Sequence, residues 1–250
     1  MRVRAHVVVR RGDFELDATL ESAGNAVVMG PNGAGKTTLL ACLLGALRPE
    51  AGHILLDERV LFDREAGICL AVEQRRVAYV PQGFGLFPHL SVLGNVMFPL
   101  TGEDRWTLAR QLLADHRLDG LADRMPSSLA PEARLRVALA RVAASAPDLV
   151  LLDEPLAGLD AAVRPDARRF LSRWLFGTEV PAIVVTHDPL VARDVGTELF
   201  VLEGGRVVQS GEPGDVAVRP RSEFVAELTA GLIAPRRLPA ELSRQLSEDE

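Results

Sequence analysis

A chain of 250 residues, 48% apolar and 25% charged, has the balance of a globular protein and is long enough for one large α/β domain or a core carrying a smaller subdomain. Its net charge of −6 argues against a nucleic-acid partner, because phosphate-backbone affinity is built mainly from Lys and Arg. Only two cysteines occur, Cys42 and Cys69, both in apolar stretches, which excludes a disulfide framework and predicts small core residues in a reducing compartment.

The first apolar run, in "MRVRAHVVVRRGDFE", is too short for a signal peptide, and no run approaches the roughly 18 residues of a membrane span. The chain therefore reads as a soluble cytoplasmic protein. "RAHVVVRRGDFELDATL" predicts a hairpin turning at residues 11–13. "AVVMG" (26–30) predicts a strand buried on both faces, followed by a helix over 36–47. "HILLDERVLF" predicts a second hairpin, turning at 57–59, and "VAYV" (77–80) a second buried strand. From about 83 to 125 the buried-strand pattern is missing, and "DRWTLARQLLADHRL" carries helical spacing, so a helical insertion is expected. Further helices are predicted at 131–145, 161–176 and 189–195, and buried strands at "LVLLD" (149–153) and "AIVVTH" (182–187). "LFVLEGGRVVQSG" predicts a last hairpin at 204–205, and the acidic end "APRRLPAELSRQLSEDE" a short helix or frayed tail. Buried strands alternating with helices predict a mainly parallel sheet flanked by helices, with an antiparallel β-subdomain at the N-terminus and an α-helical insertion.

"GPNGAGKTT" contains the only lysine of the chain; the other 27 basic residues are arginines. The spacing Gly30-x-x-x-x-Gly35-Lys36-Thr37 is the P-loop pattern, and it lies between a predicted strand and a predicted helix, as that pattern requires. Over the loop Gly30, Pro31, Asn32, Gly33, Ala34 and Gly35, the glycines let successive backbone N–H groups converge on an anion (Pro31 has none to give), and the helix dipole adds to the attraction. Lys36 brings a compact ammonium to the terminal phosphates, where the planar fork of arginine is too large. Thr37 supplies a hydroxyl for Mg²⁺, and Thr38 completes the loop. Downstream, "LVLLDEP" ends a buried strand at Asp153, placed to hold Mg²⁺, and Glu154 follows as a candidate general base.

With these elements the chain resembles the ATPase subunit of ATP-binding-cassette (ABC) transporters over residues 1–230. The Walker A loop (30–38), Gln82 in "YVPQ", the Walker B pair Asp153-Glu154, the D-loop "LAGLD" ending at Asp160 and His187 in "VVTHD" occur in the family's order. The resemblance implies ATP and Mg²⁺ as cofactors. It implies that Gln82 senses Mg²⁺ and the γ-phosphate, that His187 contacts the γ-phosphate, and that Asp160 serves a dimer contact. His6, His53, His89 and His116 are read as structural. The domain expected is 1–230, with the helical subdomain at about 83–145, a short tail over 231–250 and no regulatory domain. "GICL" and "EQRRVAYV" within 52–82 look like the molybdate-importer branch.

Two stretches depart from the family. Where the family carries "LSGGQ", this chain reads "LAPEA": Ala130 has no hydroxyl, Pro131 no N–H, and Glu132 adds a negative charge unless it swings into solvent. The aromatic expected to stack on adenine is replaced by Arg10 and Arg11, and Phe14, alternating with Leu16, is expected to face the core. The resemblance implies permease subunits, a second ATPase subunit as homo- or heterodimer partner, indirectly an extracytoplasmic solute-binding protein, and a place on the inner face of the cell membrane. "GFGLFPHLSVLGNVMFPL" is the stretch expected to meet the permease. The competing expectations are a nucleotide-binding regulatory or weakly hydrolytic partner subunit of a heterodimeric ATPase, and an importer for another solute (sulfate, iron or polyamine). A chromosome or repair ATPase is disfavoured by the lack of a coiled-coil insertion, and a small-molecule kinase by the presence of "LAGLD" and His187.

Overall fold

Alternating burial along β1 (Val3–Arg11) and β2 (Phe14–Ser22) gives a hairpin with one face in the core, and the turn falls at Gly12-Asp13 as its residues dictate. The computed structural model describes residues 1–232; the expected tail lies, from residue 233 onward, outside the described residues. β3 (Ala26–Met29) is buried on both faces and leads through the glycine-rich loop into α1 (Lys36–Leu44). That helix stops three residues before the expected end. Gly45 takes φ 91°, and the buried guanidinium of Arg75 donates through Nη1 to the carbonyls of Cys42 and Leu43 at 2.8 and 2.9 Å.

β4 (Ala51–Leu56), β5 (Arg59–Asp63) and β6 (Ile68–Cys69) continue the antiparallel part, and the short α2 (Val72–Arg75) leads to β7 (Val77–Val80). The insertion follows as α3 (Val92–Met97), α4 (Arg105–Asp115) and α5 (Pro131–Ala144). Then come β8 (Leu149–Asp153), α6 (Arg164–Phe176), β9 (Ala182–Val185), α7 (Pro189–Val195), β10 (Glu198–Glu203), β11 (Arg206–Gly211), α8 (Pro213–Val218) and α9 (Glu223–Thr229). α6 starts at Arg164 rather than 161, with Pro165 in its first turn, where a missing N–H is harmless.

Among the described residues eleven strands form one sheet, in the order β6-β5-β4-β1-β2-β11-β10-β3-β9-β8-β7. The strands from β10 to β7 run parallel, and the N-terminal antiparallel strands extend the same sheet, joined to it by the pairing of Arg206 in β11 with Asp17 in β2. Successive side chains of a strand point to opposite faces, so each inner strand feeds two cores. Val27, Met29, Val150, Leu152 and Val184 pack under α5, α6 and α7; Ala26, Val28, Leu149, Leu151 and Ile183 pack with α1 and the hairpins.

A third core joins Val92, Val96, Ala109 and Leu113 to Val137 and Ala140, while Leu135, Ala138 and Leu139 of the same α5 face the main sheet. α5 therefore belongs to both the insertion and the core. Two polar ties reinforce that junction. His116, at the end of α4, accepts from Trp174 Nε1 of α6 at 3.0 Å. Asn95 of α3, fully buried, and Arg141 of α5, partly buried, bind the backbone of residues 84–91.

Cys42 is buried, and burial pushes its thiol up to about 12. The expectation of a core Cys69 fails: it lies exposed on β6, which among the described residues is an outer strand with a neighbour on one side only. No helix among the described residues is long and apolar enough to cross a membrane.

Candidate nucleotide site

The site starts from a backbone that must approach its neighbours closely. A Cβ at Gly30 would sit 2.1 Å from the Leu202 carbonyl oxygen, so the chain can leave β3 beside β10 only as glycine. Gly35, at φ 104°, precedes α1 and offers no side-chain cap; a Cβ there would strike Leu16 and Phe14. The first-turn amides of α1 thus face the loop without a capping side chain.

Lys36 is 8% exposed and folds back over this loop, donating from Nζ to the carbonyls of Gly30 at 2.8 Å and Pro31 at 2.9 Å. Burial holds its ammonium below the ordinary 10.5, while the charges of Glu154 and Asp153 pull the other way. Thr37 Oγ1 donates to Asp153 Oδ2 at 3.1 Å, bringing the start of α1 to the end of β8 across 116 positions of sequence. The same oxygen accepts from Tyr79 of β7 at 3.2 Å. Burial, and then Asp153, push that phenol up to about 12.

Glu154 has φ 48°, a left-handed backbone uncommon for a residue with a side chain and typical of functional sites. The conformation is held by its N–H to the Val185 carbonyl at 2.9 Å. Its carboxylate lies 2.8 Å from His187 Nδ1 and 3.5 Å from Thr186 Oγ1. A carboxylate only accepts, so Nδ1 carries the proton and Nε2 of the largely exposed His187 remains for another partner.

Phe14, Asn32, Gly33, the stretch from Gly35 to Thr38, Gln82, Asp153 and Glu154 enclose a cavity of about 270 Å³. Glu154 also borders a second cleft of about 110 Å³, shared with Gly158, Arg164 and His187. Gln82 stands exposed on the rim. Pro31 and Ala34 shape the loop through the Ala34 N–H to Pro31 carbonyl bond at 3.2 Å. Asp160 is not brought to either cavity; it is exposed, and its carbonyl accepts from Val163 and Arg164. The donors clustered here, a carboxylate, a hydroxyl and an amide oxygen, are hard oxygen ligands that fit a magnesium completed by phosphate and water.

Phe14 faces the core as expected, but not with its whole ring. It is only partly buried, packing on the hairpin core with one side and walling the cavity beside Gly35 with the other. Alternation alone could not show this, because the loop folds back over β2. Arg10 is engaged by Glu15 at 2.6 Å.

The start of α5 is built differently. Ala130 is the N-cap and offers no side-chain bond, and Pro131 opens the helix without an N–H. Glu132 does not swing into solvent: its Oε1 accepts from Arg136 Nη2 at 2.6 Å and Nε at 3.2 Å. The guanidinium of Arg136 lies 4.4 Å from the centre of the Phe170 ring. Tyr79 is the site residue that sequence reasoning missed.

Comparison with known proteins places this geometry. The family model described as ABC transporter matches residues 14–157. The molybdenum import ATP-binding protein ModC of Mycobacterium tuberculosis is 40% identical over 91% of this chain, which spans 64% of that protein's length. The Fe(3+) ions import ATP-binding protein FbpC of Pseudomonas fluorescens is 37% identical over 94% of the chain and 66% of its own length. The sulfate/thiosulfate import ATP-binding protein CysA of Xylella fastidiosa is 38% identical over 90% and 64%. Among solved structures, a dimeric ATP-binding cassette in a post-hydrolysis state with ADP and Pi aligns with TM-score 0.68 and 27% identity, covering 85% of this chain and 98% of that one. A nucleotide-free cassette shares the fold at TM-score 0.75 and 18% identity, covering 91% and 98%. The chain belongs to the ABC transporter family.

Proposed function

We propose that this chain is the ATP-binding and ATP-hydrolysing subunit of an ABC importer, attached to permease subunits at the inner face of the membrane and powering uptake of a small oxyanion such as molybdate. The observation that carries the reading is the convergence of Lys36, Thr37, Gln82, Asp153 and Glu154 on one cavity. Lys36 and the loop amides of 30–38 would bind the β- and γ-phosphates. Thr37, Asp153 and Gln82 would hold Mg²⁺, which when bound neutralises charge on the phosphates. The Glu154 carboxylate orients a water and takes its proton as the oxygen attacks the γ-phosphorus and ADP leaves. His187, held by Glu154 through Nδ1, is left with Nε2 for the γ-phosphate. Asp160, outside both cavities, would act only at the contact with a second cassette subunit.

The solute rests on less. Relatives named for molybdenum, iron(III) and sulfate import lie between 37% and 40% identity, so overall likeness does not rank them. Molybdate is favoured by the look of residues 52–82. Co-purification of the full chain from membranes, followed by uptake of labelled molybdate, sulfate or iron(III) into vesicles holding the complex, tests it. ATP-driven molybdate uptake supports the reading; ATP-driven uptake confined to another solute, or none, removes it.

A second reading is favoured by the start of α5, where Pro131 and the pinned Glu132 replace the donors expected over the γ-phosphate of a facing subunit. On that reading the chain is a regulatory or weakly hydrolytic partner in a heterodimeric ATPase. ATP-dependent dimerisation with no phosphate release, even with the permease present, would favour it.

A further inference from the structure

We propose that Tyr79 is a positioning residue: its hydroxyl orients the Asp153 carboxylate, and so sets the affinity for magnesium in the nucleotide complex rather than for nucleotide itself. The inference rests on the reading of the cavity as a magnesium–nucleotide site, and adds to it a residue to which the motifs assign no role.

Three placements converge on Asp153. β7 and β8 are parallel neighbours in register, with Tyr79 beside Leu151 and Val80 beside Leu152. Asp153 is the last residue of β8, so the long side chain of Tyr79 spans the remaining distance along the strand. The ring of Tyr79 packs on the core shared by α1 and the hairpins, which fixes the hydroxyl from behind. Asp153 Oδ2 then receives two donors, Tyr79 O–H at 3.2 Å and Thr37 Oγ1 at 3.1 Å. Among the described residues nothing donates to the second oxygen, Oδ1. A carboxylate fixed through one oxygen keeps the other in a set direction without reorganisation when a cation and its waters arrive. Outer partners of this kind hold a ligand's orientation, and their removal typically costs roughly 10- to 100-fold in metal affinity.

The test uses Tyr79→Phe, which removes one oxygen and keeps the packed ring. ADP binding to the full chain is measured by calorimetry in EDTA and across a magnesium titration. The expected result is a magnesium midpoint raised roughly tenfold or more, with affinity in EDTA within about twofold of the wild type. Equal magnesium midpoints overturn the inference, and so does an equal loss with and without magnesium, which would mark a merely structural residue. If the wild type binds no ADP under either condition, the nucleotide reading itself fails, a different outcome from a variant that matches a binding wild type. Tyr79 is the only tyrosine in the chain, so fluorotyrosine places a single fluorine reporter at this ring. Its resonance is expected to move when magnesium is added to the ADP complex in EDTA; a resonance that stays still overturns the inference independently of stability.

Discussion

On the proposed reading α1 and α5 both begin beside a phosphate, and they are built in opposite ways. α1 opens after a glycine, with no capping side chain and a buried amine folded over the loop. α5 opens with a proline that lacks a donor, and its first carboxylate is tied to a cation of its own helix. A helix dipole exists at both ends, so the dipole alone does not make an anion site. What decides is whether first-turn amides are present and which charge stands beside them.

The largest effect expected from breaking one side of this comparison is at Glu154. Replacing it with Gln removes the proton acceptor, and ATP turnover of the complex should fall by roughly 10² to 10⁴-fold. Nucleotide binding, measured separately by calorimetry, should persist. A loss of binding together with turnover would mean that Glu154 shapes the cavity and does not serve as base.

Sharpening the comparison calls for making α5 resemble α1. The triple variant Ala130→Ser, Pro131→Gly, Glu132→Gly restores a hydroxyl and an N–H and removes a charge. A preorganised donor at developing charge is worth roughly 10²-fold or more, so phosphate release by a dimer of identical chains should rise at least about tenfold. Brisk and equal release by wild type and variant would show that the α5 start is not the limit.

The smallest effect lies in the scaffold behind α5. His116 uses both ring nitrogens: Nδ1 lies 2.8 Å from the Leu112 carbonyl, which only accepts, so Nε2 must be unprotonated to receive Trp174. Burial holds this imidazole below the ordinary 6.5, with the Leu112 carbonyl and Asp115 pulling up and Arg136 pushing down. The unfolded chain therefore takes up a proton first as pH falls. The contribution of neutral His116 is present above 6.5 and is lost as pH drops from there through the folded value. Urea unfolding should show a decline in stability on the order of 1 kcal/mol across that window, and Trp174→Phe should flatten this decline. A wild-type profile that Trp174→Phe leaves unchanged would count against the tie.

The two helix starts also differ in how legible they were. The α1 loop is a local pattern, so Gly30, Gly35, Lys36 and Thr37 could be read directly, as could the buried strand ending at Asp153. The loss of a hydroxyl at Ala130 and of an N–H at Pro131 was equally plain. The placement of Glu132 was left open, and the structure decides it through Arg136, four residues on, a spacing that brings side chains together on a helix. Cys69 was misread and Phe14 read only in part, because strand alternation does not say which strand is outermost or what folds over an end of the sheet. Tyr79 was out of reach, since its bond to Asp153 joins strands 74 positions apart. The single sheet was hidden for the same reason: one pairing, between Arg206 and Asp17, joins its two parts.

The whole account stands on a nucleotide held by the α1 loop and its one amine. Calorimetric titration of ATP with Mg²⁺ into the wild type and Lys36→Ala tests this most directly. A charged hydrogen-bonding group is worth up to about 3 kcal/mol, so a single-site isotherm weakened roughly 100-fold by the substitution is expected. No heat of binding in the wild type, or the same affinity without the amine, would contradict it.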